Sequence, residues 1–165
     1  MNLSESYKER PFLTFNLDDE LFAVDVAKVR EVLDYTNITK IPRTPEYMRG
    51  VINLRGSVVP VIDLRLKFGL SLTERKRNTC IIVLEVQSES DTLILGALAD
   101  SVQEVFEFED GQIEPSPKFG TKLKTDFLKA MGKRNDKFIM ILDSDKVFSS
   151  DELIAVQEAS EAANA

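Results

Sequence analysis

The amino-acid sequence predicts an all-β protein with minor helices, built from two similar units. Short apolar segments of strand length, bounded by polar turns, follow one another along most of the chain. A pair of these segments occurs twice in the same order, which indicates an internal repeat. The 165 residues are enough for one domain, or for two small barrels that share a core.

The repeat consists of two segments of the first half that return in the second: VREVL (29–33) as VQEVF (102–106), and VPVID (59–63) as IMILD (139–143). These matches define two β units, 12–68 and 81–148, joined by a polar and basic link over residues 69–78. Units of this size cannot each bury a large core. We therefore expect the two units to pack face to face. Strand exchange between the units is one way in which they could do so.

The first unit begins with a predicted β-hairpin. Segment 12–17 alternates apolar and polar residues, segment 21–24 resumes the apolar pattern, and the acidic residues 18–20 suit a turn. A buried strand is predicted further on, at 58–62. Pro60 in that strand has no N–H to donate to a ladder, so we expect it at a sheet edge, a bulge or a barrel corner.

The second unit follows the same plan. Its hairpin consists of segments 80–84 and 93–98, which flank a polar turn at 87–91. A last core strand is predicted at 138–142, where all five residues are apolar. Each unit therefore has an opening hairpin and a closing core strand.

Two further segments are predicted to be helical. Residues 125–131 form the first, a short helix that would end at Gly132. The second is an alanine-rich final helix, opened by a capping box in which Ser149 and Glu152 satisfy each other's backbone N–H groups. Its apolar spacing fades after Glu158, and we expect the helix to fray from there.

Composition and charge exclude several classes of function. The formal net charge of −7 argues against binding along a phosphate backbone or directly on anionic lipid. The sequence lacks an apolar run of about 18 residues, and residues 1–10 are polar, so neither a membrane span nor a signal peptide is predicted. The single cysteine, Cys80, cannot form an internal disulfide. We therefore expect a cytoplasmic protein, with residues 1–10 and 159–165 as flexible tails.

The sequence does not supply the groups of a familiar active site. It contains no histidine, which removes the commonest general base and most zinc sites. Cys80 begins a predicted core strand, where a buried thiol is expected to be inert. Asp63, Asp143 and Asp145 end strands or begin loops, and a magnesium site formed by them is conceivable but disfavoured. The sequence predicts a protein that is not an enzyme, has no metal or cofactor, and acts through surfaces that bind partners.

The stretch 50–64 is the most informative part of the chain, because Arg55 interrupts an almost unbroken apolar run beside Gly56. A guanidinium group is costly to bury without a partner. Arg55 therefore either points outward at a turn or is held by a carboxylate. Glu31 is a candidate partner only if the fold brings the two residues together, which their spacing cannot show.

The chain also resembles the CheW family of chemotaxis coupling proteins. The matching segments keep their order along the chain: 22–33, 38–42, 45–56, 59–64, 99–105 and 139–143. Each segment is a weak signal by itself, but the ordered set is specific. The resemblance extends over residues 11–150 and implies a single domain of two SH3-like five-stranded β-barrels packed around a shared hydrophobic core.

The resemblance implies a function as well. Members of the family are adaptors that link the cytoplasmic tips of chemoreceptors to the histidine kinase CheA, whose regulatory domain has the same fold. The implied protein is recruited from the cytoplasm to receptor arrays at the inner membrane and needs no cofactor. It would contact neither nucleic acid nor the membrane directly.

The family's receptor-binding groove corresponds in this sequence to six residues: Val29, Glu31, Gly50, Arg55, Val102 and Val105. The resemblance further implies that Arg55 pairs with Glu31. The kinase-binding surface lies on barrel faces whose residues the resemblance does not identify.

Other functions fit the sequence less well or are not separated by it. A related adaptor could serve another chemosensory pathway, such as one for surface motility, and the sequence does not distinguish this from chemotaxis. A small β-barrel that binds nucleic acid needs a basic face with exposed aromatic residues, which the net charge of −7 and the absence of Trp disfavour. A hydrolase would need a site that the chain does not supply.

Overall fold

The computed structural model describes residues 10–88, 91–115 and 127–163. The strands in chain order are β1 (Pro11–Leu17), β2 (Glu20–Asp25), β3 (Val29–Asp34), β4 (Met48–Leu54), β5 (Ser57–Asp63), β6 (Cys80–Gln87), β7 (Thr92–Ala99), β8 (Ser101–Glu107), β9 (Ile113–Pro115), β10 (Leu128–Arg134) and β11 (Lys137–Leu142). The helical elements are a 3₁₀ turn (Val26–Lys28), the single-turn helix α1 (Leu64–Lys67) and the C-terminal helix α2 (Ser150–Ala163). The predicted all-β class with minor helices is confirmed.

The strands form two sheets, and each sheet combines both halves of the chain. The six-stranded sheet has the order β8-β1-β2-β11-β10-β9, and the five-stranded sheet has the order β3-β6-β7-β5-β4. The third strand of each half leaves its own hairpin: β3 lies antiparallel to β6, and β8 lies antiparallel to β1. The repeated segments VREVL and VQEVF therefore occupy equivalent positions, each as an outer strand of the sheet that begins in the other half.

The apolar side chains form three clusters. One belongs to the six-stranded sheet, one to the five-stranded sheet, and the largest lies between the two sheets. Central strands supply two clusters at once, because successive side chains point to opposite faces. In β5, Val61 packs in the cluster of its own sheet and Ile62 in the shared core; in β6, Ile81 and Ile82 divide in the same way. Burial on both faces explains the nearly continuous apolar runs of these strands.

The strand order differs from two expectations. The resemblance implied five strands on each side, whereas β9 adds a sixth strand to one sheet by pairing with β10. An edge position for Pro60 is wrong, because β5 lies between β7 and β4. The ladder from β5 to β7 begins at Val61, so the missing N–H of Pro60 falls at the end of that ladder.

The predicted helix at 125–131 is wrong for the residues that the structure describes. Residues 125 and 126 lie outside the described ranges, and Leu128–Arg134 forms β10, paired with β11 and β9. Its burial alternates with period two, with Leu128 and Ala130 inside and Lys129 exposed. Gly132 is needed because an added Cβ would lie 2.5 Å from Cε1 of Phe108. Long-range sheet pairing overrides the local helical tendency here.

The capping box at the start of α2 is confirmed. Ser149 N–H donates to Oε1 of Glu152 over 2.9 Å, and Glu152 N–H donates to Oγ of Ser149 over 3.1 Å. The helix then continues to Ala163, five residues past Glu158. Alanine has the highest helix propensity, and the alanine-rich end of the segment accounts for this length. Among the described residues, no helix has the length and apolar content needed to cross a membrane.

Candidate functional site

The candidate site is centred on an ion pair between Glu31 and Arg55. Arg55 Nη1 donates to Oε2 of Glu31 over 2.7 Å, and Nη2 donates to Oε1 over 2.9 Å. This is the two-pronged geometry that matches a guanidinium to a carboxylate. The Arg55 side chain is 72% exposed and that of Glu31 is 26% exposed. The pair therefore lies at the surface, with the guanidinium reachable from solvent.

A tight turn presents Arg55. Leu54 pairs with Ser57 across the β4–β5 hairpin, which leaves Arg55 and Gly56 as a two-residue loop. Both loop residues have positive φ, 51° and 88°, as a type I′ turn requires. The side chain of Asn53 accepts a hydrogen bond from Gly56 N–H over 2.9 Å. Local sequence thus determines the turn, and the turn directs the guanidinium outward.

The ion pair joins the two outer strands of the five-stranded sheet. Glu31 lies on β3 at one edge, whereas Arg55 follows β4 at the other edge. Further along, Thr39 in the segment that follows β3 forms a bridge with Val51 of β4. The sheet therefore curves until its edges meet, as in a barrel, and the pair lies across the seam.

Electrostatics keep both members of the pair charged. The hydrogen bond from Arg55 lowers the pKa of the Glu31 carboxyl, and the positive charge of Arg55 adds to this effect. The hydrogen bond to Glu31 likewise raises the pKa of Arg55. Each charge stabilises the ionised form of its partner.

A groove of about 670 Å³ runs beside the pair. The polar part of its lining includes Arg30, Glu31, Arg55 and, on helix α2, Glu161. The apolar part of its lining comes from strands β4 to β7 and from Val156 of α2. A concave surface with mixed apolar and charged lining suits a peptide segment or helix better than a small molecule.

The other predicted site residues lie outside this groove. Val29 and Val102 occupy equivalent positions on β3 and β8, and both are partly buried against the shared core. Val105 is also on β8, in the six-stranded sheet, and is 56% exposed. Gly50 is buried in β4 with φ 142°, and a Cβ there would collide with the backbone oxygen of Thr39. The structure thus brings Glu31 and Arg55 together and distributes the other four over both sheets.

Sequence reasoning missed a second ion pair that corresponds to the first. Glu104 lies in VQEVF where Glu31 lies in VREVL. Arg134, at the end of β10, donates to Glu104 over 2.7 Å. The Arg134 guanidinium also lies 3.8 Å from the centre of the Phe106 ring. The repeated glutamate was the available signal, but its arginine precedes the turn by one residue and escapes a simple alignment.

The titratable groups weighed for chemistry have structural roles. Burial raises the pKa of the Cys80 thiol to about 11, so the thiol stays protonated. The fully buried Asp63 carboxylate accepts hydrogen bonds from the hydroxyl and N–H of Thr73 and from Arg49. It also caps α1 through the N–H of Arg65. Within the described ranges, no three His, Cys, Asp or Glu residues are grouped to hold a metal ion.

Comparisons with known proteins agree on one family. A model of the CheW-like domain matches residues 11–152. The chemotaxis protein CheW of Klebsiella aerogenes is 36% identical over 145 residues, which are 88% of this chain and 85% of that protein. The CheW protein of Thermotoga maritima is 32% identical over 159 residues, covering 94% and 97% of the two chains. The crystal structure of the scaffolding protein TtCheW from Thermoanaerobacter tengcongensis superposes with a TM-score of 0.76 at 35% identity, covering 87% of this chain and 90% of that one.

Proposed function

The chain belongs to the CheW family of chemotaxis coupling adaptors, and on that premise we propose that it links chemoreceptors to the histidine kinase CheA. The receptor tip would bind at the groove beside Glu31 and Arg55, and the kinase's regulatory domain would bind elsewhere on the sheets. The observation that carries the proposal is the exposed, two-pronged ion pair at the rim of that groove.

The geometry of the pair suits partner recognition. A guanidinium has five N–H donors, and Glu31 engages only two of its nitrogens, so donors remain for an incoming carboxylate or carbonyl. Arg55 stands on a tight turn of a rigid hairpin, so little conformational freedom is lost when a partner binds. An ion pair exposed to this degree contributes little to folding, which favours a binding role.

The remaining predicted residues complete the proposal in different ways. Val105 is exposed and would contact the receptor directly from the six-stranded sheet. Val29 and Val102 are partly buried and would contribute the outward part of their side chains. Gly50 would act through the backbone, by letting residues 38 and 39 lie close against β4.

We further propose that residues 11–150 act as one domain without catalytic turnover. The shared core contains residues of both halves, so neither half has a complete interior by itself. The protonated, buried thiol of Cys80 and the hydrogen-bonded carboxylate of Asp63 support this proposal, because neither group is placed as a nucleophile. Receptor binding would recruit the protein from the cytoplasm to arrays at the inner membrane.

A three-component binding assay tests the proposed function. Purified protein is mixed with a chemoreceptor cytoplasmic fragment, with CheA, and with both, and the complexes are separated by size-exclusion chromatography. We expect binding to each partner and a ternary complex. A protein that binds neither the receptor fragment nor CheA would overturn the proposed function.

A further inference from the structure

Helix α2 forms a wall of the groove that carries the Glu31–Arg55 pair. Four residues of α2 line the groove: Val156, Gln157, Ser160 and Glu161. Helix geometry places positions i, i+1, i+4 and i+5 on one face. Glu158 is exposed and lies outside that set. The groove is therefore bounded by sheet residues and by one defined face of the last helix.

The first turn of α2 is held firmly. Lys67 of α1 donates to Oε2 of Glu152 over 2.7 Å. Its ammonium group also lies 5.4 Å from the ring centre of Tyr47 and 5.6 Å from that of Phe148. The pKa of Glu152 shows the balance of effects: burial tends to raise it, but the hydrogen bonds from Lys67 and Ser149 outweigh burial and lower it.

Buried apolar residues hold the next part of α2, up to the groove, against the sheets. Leu153 is 4% exposed and Val156 is 1% exposed, both within the shared core. These two side chains hold the middle of the helix against the sheets. The helix face that carries Gln157, Ser160 and Glu161 is therefore held toward the groove. The wall is thus part of the folded body, in contrast to a loose tail beside it.

Some of the charged residues that line the groove are in ion pairs and one is not. Arg55 is paired with Glu31, and Arg30 is paired with Glu85 over 2.6 Å. Glu161 makes no ion pair with any residue that the structure describes. The α2 wall therefore presents an uncompensated carboxylate to whatever occupies the groove.

We propose that α2 is a positioning element of the receptor-binding groove, and that Glu161 on it selects a helical partner segment with a lysine or arginine opposite. The proposal rests on the proposed function, because its occupant is the receptor tip. The partly exposed apolar side chains of Val58, Leu93 and Ile94 would take the apolar stripe of that segment. An acidic or carbonyl group on its other flank would meet Arg55.

A matched pair of charge reversals tests the role of Glu161. Glu161→Arg changes the charge on the groove wall, and Glu158→Arg makes the same change on the same helix outside the groove. The receptor fragment is titrated against each protein by isothermal calorimetry, with CheA binding and thermal melting measured in parallel. We expect Glu161→Arg to weaken receptor binding about tenfold and Glu158→Arg to change it less than about twofold. Both variants alter the long-range electrostatic attraction equally, so a difference between them reports a local contact of residue 161.

The two levels of the proposal fail in different ways. A wild-type protein that does not bind the receptor fragment overturns the proposed function, and this inference with it. A wild-type protein that binds, together with equal receptor affinities for Glu161→Arg and Glu158→Arg, overturns only the role of Glu161. Retained CheA binding and melting in Glu161→Arg, with lost receptor binding, supports it.

A second matched pair tests whether α2 is a wall of the occupied groove. Gln157→Trp adds bulk inside the groove, whereas Glu158→Trp adds the same bulk beside it. Neither residue is fully buried, so both variants should fold. We expect receptor affinity to fall at least about tenfold for Gln157→Trp and to remain near wild type for Glu158→Trp. Unchanged affinity in Gln157→Trp would show that the receptor does not contact α2.

Discussion

Replacement of Arg55 by alanine separates the contribution of the ion pair to folding from its contribution to binding. The Arg55 side chain is 72% exposed, and its guanidinium donates two hydrogen bonds to Glu31. Exposed substitutions away from caps and buried networks have small effects on stability. We therefore expect the melting temperature of Arg55→Ala to stay within about 4 °C of wild type.

The effect on receptor binding should be much larger. Alanine removes every guanidinium donor from the rim of the groove, and we expect receptor affinity to fall about tenfold or more. Arg55→Lys keeps the charge but cannot form two parallel hydrogen bonds to one carboxylate. Its affinity should lie between those of wild type and Arg55→Ala. This order would show that the guanidinium contributes to receptor binding through its geometry as well as through its charge.

The assay needs a control that reproduces the charge change and the backbone conformation. Arg43 is exposed and has φ 61°, close to the 51° of Arg55, but it does not line the groove. Arg43→Ala should bind the receptor fragment and CheA like wild type. The reasoning is refuted if Arg55→Ala unfolds, or if it binds the receptor as tightly as Arg43→Ala does.

Three further predictions concern the fold. Truncation after Gly69 should give a chain without a cooperative melting transition, because the sheets exchange strands; a folded 1–69 fragment by circular dichroism would contradict this. Gly50→Ala should destabilise the protein by about 1–3 kcal/mol in urea unfolding, since its Cβ would meet the backbone of Thr39, and wild-type stability would show that this segment moves freely. The lowered pKa of Glu152 means that its bond to Lys67 adds stability above about pH 4.5 that is lost as pH falls below that value. Glu152→Gln should remove this part of the acid dependence, and identical pH profiles for the two proteins would contradict it.

The sequence by itself determined the features that depend on neighbouring residues. The capping box of Ser149 and Glu152 and the apolar runs of β5 and β6 form as predicted, and the first hairpin turns at Asp18 and Asp19, with Glu20 already in β2. Turn chemistry and caps involve residues within four positions of one another. The internal repeat was also visible, because equivalent strands in the two halves experience equivalent environments.

The ion pair at the candidate site is an intermediate case. The sequence showed that Arg55 needed either solvent or a carboxylate, and the family resemblance suggested Glu31. The structure supplies both, since Arg55 is exposed and also bonded to Glu31. Only the closing of the five-stranded sheet brings together two residues on its opposite edges.

Tertiary structure decided what depends on distant partners. The segment at 125–131 has helical composition, yet from Leu128 it is a strand because β9 and β11 offer ladders on both sides. The same holds for the assignment of β3 and β8 to opposite sheets, and for the placement of α2 along the groove. Propensity differs by less than about 1 kcal/mol per residue between ordinary amino acids, so burial and hydrogen-bond ladders formed across the chain outweigh it.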